Sequence, residues 1–205
     1  MTAIHDANER VLLWITDLVG KYPLLDSFMR LMASDYFVPV SMSLILLRLW
    51  FAGQDGKSRE RNQMTVFTAA VAIGLSNVVV KVCNIFYDIH QSPRPYMDSP
   101  QLLDHVLKIF YPTHDPSLPS NMAAITFAVA AAVWVNNRKT GYLLFLGALL
   151  VSFARVFAAA HYPLDVIAGA AVGVLCAFLA HKVMMRILDP MFKFMLRVGR
   201  KLCFA

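Results

Sequence analysis

The chain alternates long apolar runs with short polar connections, and this pattern predicts a helical membrane protein. A transmembrane helix needs about 20 mostly apolar residues, and fewer at the short end of its range. Five runs approach that length: about Tyr36–Ala52, Met64–Tyr87, Asn121–Val135, Tyr142–Ala160 and Leu164–Met185. We therefore predict an all-α fold, a polytopic membrane helical bundle with about five transmembrane helices.

The segment before these runs contains a shorter apolar stretch, Val11–Val19, which Asp17 interrupts. It is too short to span a bilayer and is typical of an amphipathic helix that lies in the membrane interface. A sixth crossing is the alternative. The expected organisation is an N-terminal interfacial helix and connection (1–35), a membrane helical domain (36–186) and a basic cytoplasmic tail (187–205).

Composition agrees with a membrane protein and excludes other classes. Hydrophobic residues make up 58% of the chain, charged residues 16%, and the mean hydropathy is +0.56. Soluble proteins contain fewer apolar and more charged residues than this chain, and disordered chains differ from it further in the same two respects. The net charge of +6 comes from basic residues in short connections between apolar runs. Basic residues in such connections determine how a protein is oriented in the membrane, and this placement does not favour nucleic-acid binding.

Basic residues also predict which side each connection faces. They concentrate at 53–63, 136–141 and in the tail from His181. Five alternating crossings put these three segments on one side, which we expect to be the cytoplasm. The long segment 88–119 and the turn around His161 then lie on the outer side.

Polar residues that suggest chemistry collect on that outer side, at the ends of apolar runs. Ionisable groups are costly at membrane depth, so they are functional candidates by default. The three sets are Gln-Ser-Pro-Arg-Pro-Tyr at 91–96, Leu-Pro-Ser-Asn-Met at 118–122, and the segment 155–165 with Arg155, His161 and Asp165.

The third set predicts a histidine nucleophile. Asp165 follows His161 by four residues, so its carboxylate could accept the Nδ1 hydrogen and leave Nε2 free to attack. The alternative is structural: Asp165 caps the last helix, and Arg155 extends to the lipid headgroups.

The first two sets predict a phosphate-like anion as the ligand. Arginine forms a bidentate fork with phosphate oxygens, so Arg94 and Arg155 fit this role. Ser120 lies where a helix begins, and its hydroxyl with the amides of Asn121 and Met122 could face the anion. The alternative is that Ser120 is only a helix cap and the neighbouring prolines only stiffen a loop.

Together the three sets resemble the motifs of the type-2 phosphatidic-acid phosphatase superfamily. Arg94-Pro95 is similar to the end of its first motif, Pro119-Ser120 to the start of the second, and Arg155, His161 and Asp165 to the third at its full spacing. The flanking sequences look like the bacterial undecaprenyl-diphosphate phosphatase branch. Such a protein would lie in the bacterial inner membrane with its active site facing the periplasm or exterior.

The chain departs from the family pattern at three positions. The lysine of the first motif falls on Tyr87, and the nearest lysine is Lys81; the serine before Arg155 is Ala154. The histidine of the second motif falls on Met122. In the family that histidine resembles the general acid for the leaving group, and a thioether cannot donate a proton. His114 or His90 could supply the proton from the loop instead.

The resemblance implies a lipid phosphatase in which His161 forms a phosphohistidine and Asp165 orients it. Arg94, Arg155, Ser120 and Asn121 would hold the phosphoryl oxygens, with Lys81 as an auxiliary, and no metal or other cofactor is expected. The implied partners are a lipid phosphate or diphosphate substrate and membrane lipids. Met122 favours a diphosphate, whose leaving group is already a stable anion.

Two alternatives to this function stay open at this point. One is a lipid-phosphate-binding membrane protein that Met122 has made catalytically impaired. The other is a phosphatase for phosphatidic acid or phosphatidylglycerol phosphate. A soluble vanadate haloperoxidase would share the same motifs, but five apolar runs argue against it.

Overall fold

A computed structural model describes residues 2–86, 92–184 and 186 of the chain. Over these residues the chain forms nine helices and no strand, which confirms the predicted all-α class. The motif position Tyr87, His90 and the basic tail 187–205 lie outside the described residues. In chain order the helices are α1 (Thr2–Thr16), α2 (Pro23–Ala33), α3 (Phe37–Phe51), α4 (Gly56–Phe86), α5 (Pro95–Asp98), α6 (Pro100–Ile109), α7 (Asn121–Asn136), α8 (Arg138–Phe157) and α9 (Pro163–Val183).

Most of the predicted apolar runs are the cores of these helices, and the chain is an integral membrane protein. Among the described residues, α4, α8 and α9 are each long and apolar enough to cross a membrane. The pair α2 and α3, joined through a 55° bend, would make a fourth crossing, and α7 is a shorter apolar helix. Length and composition therefore support three or four crossings, with α7 as the additional short helix of the bundle.

The N-terminal region contains more helix than the sequence pattern predicts. The amphipathic stretch at Val11–Val19 begins in the last turns of α1, which ends at Thr16, and continues into the turn that follows. Helix α1 buries Leu12 and exposes Trp14. We did not predict α2, because Asp26 and Arg30 interrupt its short apolar pattern. It packs against α6 and α8. The segment before the first predicted crossing is therefore part of the bundle and not merely a connection.

Helix α7 lies at the centre of the bundle, where it packs against α4, α8 and α9. Alanine side chains along α7 are buried, and small residues allow membrane helices to approach closely. A Cβ atom added at Gly169 of α9 would lie 2.3 Å from the Ser120 carbonyl oxygen, and one at Gly173 would lie 2.2 Å from that of Ala124. The two backbones are therefore in direct contact, which fixes the start of α7 beside the start of α9.

The end of α8 aims the following residues into the protein. Ala159 adopts a left-handed backbone with φ of 57°. Around it, the Ala160 N–H donates to the Arg155 carbonyl at 3.0 Å and the Ala159 N–H to that of Val156 at 2.9 Å. This is the Schellman arrangement, which usually has glycine at the left-handed position. An alanine there costs roughly 1–2 kcal/mol, and the buried surroundings hold the strained turn just before His161.

The contact between α7 and α9 gives a test of the fold. We expect Gly173→Ala to lower the thermal unfolding temperature in detergent, because the added methyl group meets the α7 backbone and overpacking costs about 1–3 kcal/mol. Gly74→Ala on α4 is the matched control, since nothing lies within 4 Å of the added atom. It should leave the unfolding temperature unchanged or raise it. Equal temperatures for the two variants would contradict this packing.

Candidate active site

The three polar segments predicted to share the outer side converge on one cavity of about 140 Å³. Helices α7, α8 and α9 position its side chains together with the segment between α6 and α7 and the bend between α2 and α3. The lining residues are Asp35, Arg94, Tyr111, Thr113, Asp115, Asn121, Met122, Arg155 and His161. The predicted site residues Arg94, Asn121, Arg155 and His161 are therefore brought together, and Met122 lies among them.

His161 lies in the short connection between α8 and α9, with its side chain buried. Its Nδ1 atom is 3.0 Å from the Ser117 carbonyl oxygen, so the Nδ1–H donates to that oxygen. Its Nε2 atom is 3.4 Å from Nη1 of Arg94. A ring nitrogen that faces an arginine N–H is the unprotonated one, so the Nε2 lone pair is directed at Arg94, and both residues line the cavity.

The protonation state of His161 suits a nucleophile. Burial lowers the pKa of its imidazole below the ordinary value, and the charge of Arg94 lowers it further, while Asp165 acts in the opposite direction. The ring is therefore neutral at pH 7. A neutral imidazole has a free lone pair for attack on an electrophile.

Asp165 differs from the sequence prediction in its hydrogen bonds. Its Oδ2 atom is 3.9 Å from His161 Nδ1, which is too long for a hydrogen bond. It accepts instead from the Ser117 hydroxyl and from the Tyr162 N–H at 2.9 Å. Asp165 thus caps the start of α9, as in the structural alternative, and also holds the Ser117 segment whose carbonyl binds His161.

Arg94 is buried and joins three parts of the site. Its Nη2 atom pairs with Asp115 Oδ1 at 3.0 Å, its Nε–H donates to the Asp115 carbonyl at 2.9 Å, and its Nη1–H donates to the Ala160 carbonyl at 2.9 Å. Burial raises the pKa of Asp115, but the neighbouring Arg94 guanidinium and other local interactions bring it below its ordinary value. Asp115 is therefore ionised at neutral pH and has no proton to donate.

Arg155 is also buried and paired, so it does not extend to the headgroups as in the structural alternative. Its Nη2 atom forms an ion pair with Asp35, and its guanidinium lies 3.9 Å from the centre of the Phe110 ring. The Tyr111 hydroxyl donates to the other Asp35 oxygen, and this hydrogen bond raises the pKa of the phenol. The α2–α3 bend therefore closes one side of the cavity.

Three buried polar groups in and around the cavity have no hydrogen-bond partner among the described residues. The Ser120 side chain is buried but does not line the cavity, and it makes no helix-capping hydrogen bond. Within the described part of the chain, the hydroxyls of Ser120 and Thr113 and the Nε of Arg155 are buried without a hydrogen-bond partner. Unpartnered buried donors are rare in proteins, and those of Thr113 and Arg155 belong to residues that line the cavity.

Two auxiliary candidates lie outside this cavity. Lys81 lines a neighbouring cavity of about 440 Å³ that shares Asp115 and Asn121 with the first. His114 is exposed and lines neither of the two. Over the described residues, no group of three or more His, Cys, Asp and Glu side chains could hold a metal ion.

Several residues of this site were missed by the sequence analysis. Asp35, Tyr111, Thr113 and Ser117 all contact candidate residues or line the cavity. Asp35 could have been predicted as a site residue, because it is a carboxylate at the outer end of the first apolar run. The others lie in the outer segment, where no periodic pattern indicates which side chains point inward.

Comparison with known proteins identifies the family of the chain. The model of the PAP2 superfamily matches residues 65–189, which is more than half of the chain. The chain belongs to the PAP2 superfamily. The expected resemblance is confirmed, and the matched range contains the second, third, fourth and fifth predicted apolar runs.

Two curated relatives from Bacillus are similar over most of the chain. The undecaprenyl-diphosphatase BcrC of Bacillus subtilis (strain 168) is 30% identical over 156 residues, covering 76% of this chain and 72% of the relative. The bacitracin transport permease protein BcrC of Bacillus licheniformis is 27% identical over 167 residues, covering 80% and 74%. These relatives and the family support a lipid phosphatase as the general function.

Two solved structures share the fold. The crystal structure of LpxE from Aquifex aeolicus matches with a TM-score of 0.63 and 25% identity, over 86% of this chain and 95% of that one. A transmembrane PAP2-type phosphatidylglycerolphosphate phosphatase from Bacillus subtilis matches with a TM-score of 0.57 and 18% identity, over 91% and 89%. The latter likeness shows the fold alone.

Proposed function

We propose that this protein hydrolyses a lipid diphosphate of the undecaprenyl-diphosphate type through a phosphohistidine on His161. The observation that carries the proposal is the state of that imidazole. Its Nδ1–H is held by the Ser117 carbonyl at 3.0 Å, and its Nε2 faces the cavity beside Arg94 at 3.4 Å. A neutral, oriented imidazole next to a guanidinium fits attack on a phosphoryl group.

The reaction then has two displacements at phosphorus. His161 Nε2 attacks the terminal phosphorus, the new N–P bond forms, and the P–O bond to the lipid monophosphate breaks with its electron pair on the leaving oxygen. Water next attacks the phosphohistidine, the N–P bond breaks, and inorganic phosphate leaves. The nitrogen recovers its lone pair, so His161 returns to its starting state.

The arginines would stabilise the three equatorial oxygens of the transferring phosphoryl group. Each is already paired, Arg94 with Asp115 and Arg155 with Asp35. These carboxylates fix the guanidinium planes before substrate enters. A preorganised cation stabilises the transition state more than a cation that must first reorient. An incoming phosphate would bind N–H groups that the carboxylates leave free, such as the Nε–H of Arg155, which has no partner among the described residues. The proposed chemistry uses positioning and charge neutralisation by these side chains.

Met122 supports a diphosphate as the substrate. It lines the cavity but cannot donate a proton, and Asp115 is ionised at neutral pH. A lipid alcohol that leaves as an alkoxide needs a proton. A lipid monophosphate does not, because the last pKa of a phosphate monoester is about 6.

Experiments distinguish the proposed function from two alternatives. A lipid-phosphate-binding protein without turnover would bind substrate and release no phosphate. A phosphatidic-acid or phosphatidylglycerol-phosphate phosphatase would hydrolyse monoesters at least as fast as diphosphates. The buried arginine pairs and the oriented imidazole favour an enzyme over a binding protein.

We further propose that the cavity opens to the periplasm or exterior of the bacterial inner membrane, with the C-terminal tail in the cytoplasm. The basis is the set of basic residues in the connections 53–63 and 136–141. Basic connections face the cytoplasm. Lipid diphosphate released on the outer leaflet would have direct access to such a site.

The nucleophile assignment predicts the behaviour of His161→Ala. We expect it to abolish phosphate release from a polyprenyl diphosphate in detergent, since the group that forms the N–P bond is gone. His181→Ala, a histidine change in the last turn of α9, is the matched control and should retain near-native kcat/KM. Turnover by His161→Ala at the native rate would contradict the proposal.

The leaving-group argument predicts the effect of Met122→His. We expect the native protein to prefer diphosphate over monoester lipids, and the new imidazole to raise monoester hydrolysis roughly ten- to hundredfold, within the range of general acid catalysis. Diphosphate hydrolysis should change much less. The measurement is kcat/KM for both substrate classes in both variants. If the native protein hydrolyses monoesters as well as diphosphates and Met122→His changes neither, the argument is wrong.

A further inference from the structure

Helix α4 carries a polar stripe within its apolar half. Asn77, Lys81 and Asn84 are four and three residues apart, so they lie along one face of the helix. Lys81 is the single charged residue between Met64 and Phe86. A lysine within an apolar membrane helix is costly and marks a functional position.

This stripe faces a cavity of about 440 Å³ next to the reaction cavity. The cavity is lined by Asn77, Val78, Val80, Lys81, Asn84, Asp115 and Asn121. Asp115 and Asn121 also line the reaction cavity. The two cavities therefore adjoin across these two side chains, and a group that extends from the reacting phosphate past Asn121 enters the second cavity.

The charges of the two cavities differ. Arg94 and Arg155 each pair with a carboxylate. No carboxylate in the described part of the chain pairs with Lys81, and Asp115, which borders it, is engaged by Arg94 at 3.0 Å. Among the described residues the ammonium group of Lys81 therefore has no carboxylate partner, and its positive charge is available to the second cavity.

Amide groups complete the second cavity. Asn77 uses one N–H on the Ile73 carbonyl at 3.1 Å, so its amide has a second N–H for a ligand. Asn84 adds a second side-chain amide to the lining, and the N–H groups of that amide are hydrogen-bond donors. An unpaired ammonium group together with amides is a set of donors suited to phosphate oxygens.

We infer that the cavity lined by Asn77, Lys81 and Asn84 is a second anion subsite, which binds the lipid-linked phosphate of a diphosphate substrate. This inference rests on the proposed function and adds the position of the leaving group. One bridging oxygen joins the two phosphorus atoms of a diphosphate, so the second phosphate must lie directly beside the reacting one. When the bridging P–O bond breaks, the electron pair and negative charge pass to the lipid monophosphate, where Lys81 stabilises them in place of a proton from position 122.

The test compares Lys81→Gln with the native protein on a polyprenyl diphosphate and on the monophosphate of the same chain length. A hydrogen bond to a charged group contributes about 1.5–3 kcal/mol. We therefore expect kcat/KM for the diphosphate to fall roughly ten- to hundredfold, with little change for the monophosphate, which leaves the subsite empty. Lys81→Arg should restore most of the diphosphate activity. Lys21→Gln, a change at an exposed lysine beyond both cavities, should alter neither substrate.

A binding measurement tests the subsite independently of turnover. Inorganic pyrophosphate should bind the native protein more tightly than inorganic phosphate, and Lys81→Gln should remove most of that difference. Equal effects of Lys81→Gln on both lipid substrates, or an unchanged preference for pyrophosphate, would overturn the inference even if His161-dependent hydrolysis is intact. Failure of the native protein to hydrolyse either lipid would count against the proposed function, and the pyrophosphate comparison would still decide the subsite.

Discussion

The buried guanidinium of Arg94 is the interaction on which the rest of the site depends. It binds the Asp115 backbone and side chain, the Ala160 carbonyl at the end of α8, and lies beside His161 Nε2. Three segments that are distant in sequence are thus held at one point. Removing Arg94 would leave the Ala160 and Asp115 carbonyl oxygens without these donors. In the proposed mechanism the same group that organises the site also binds a phosphoryl oxygen.

Close helix packing makes this arrangement possible. The contact of Gly169 and Gly173 with the α7 backbone brings the starts of α7 and α9 together, and the Ser120 N–H bonds the Asp165 carbonyl at 3.0 Å. Asp165 in turn holds Ser117, whose carbonyl fixes the His161 tautomer. The orientation of His161, the proposed nucleophile, therefore follows from helix packing through a chain of three hydrogen bonds. In lipid, this packing relies on small residues rather than on the hydrophobic effect.

The helical class could be predicted because the length of an apolar run is a local property of the sequence. The convergence of Arg94, Arg155 and His161 was predicted from their positions at the outer ends of these runs and from the resemblance of their motifs. The sequence could not predict that Asp35 pairs with Arg155, since 120 residues separate them. For Asp165 and His161, the two side chains lie close together as predicted from their spacing, but Asp165 Oδ2 is 3.9 Å from His161 Nδ1, beyond hydrogen-bond distance. His161 precedes α9, which begins at Pro163, so the pair does not share the face of one helix. The Ser117 carbonyl binds His161 Nδ1 instead.

The central claim is that His161 carries the phosphoryl group during turnover. Native protein should be mixed with a polyprenyl diphosphate labelled in its terminal phosphate, quenched within one turnover in alkaline detergent that preserves phosphohistidine, and digested for mass spectrometry. The account predicts phosphate on His161, formed and lost at rates that match turnover. A label on another residue, or turnover without any phosphorylated protein at every quench time, would contradict it.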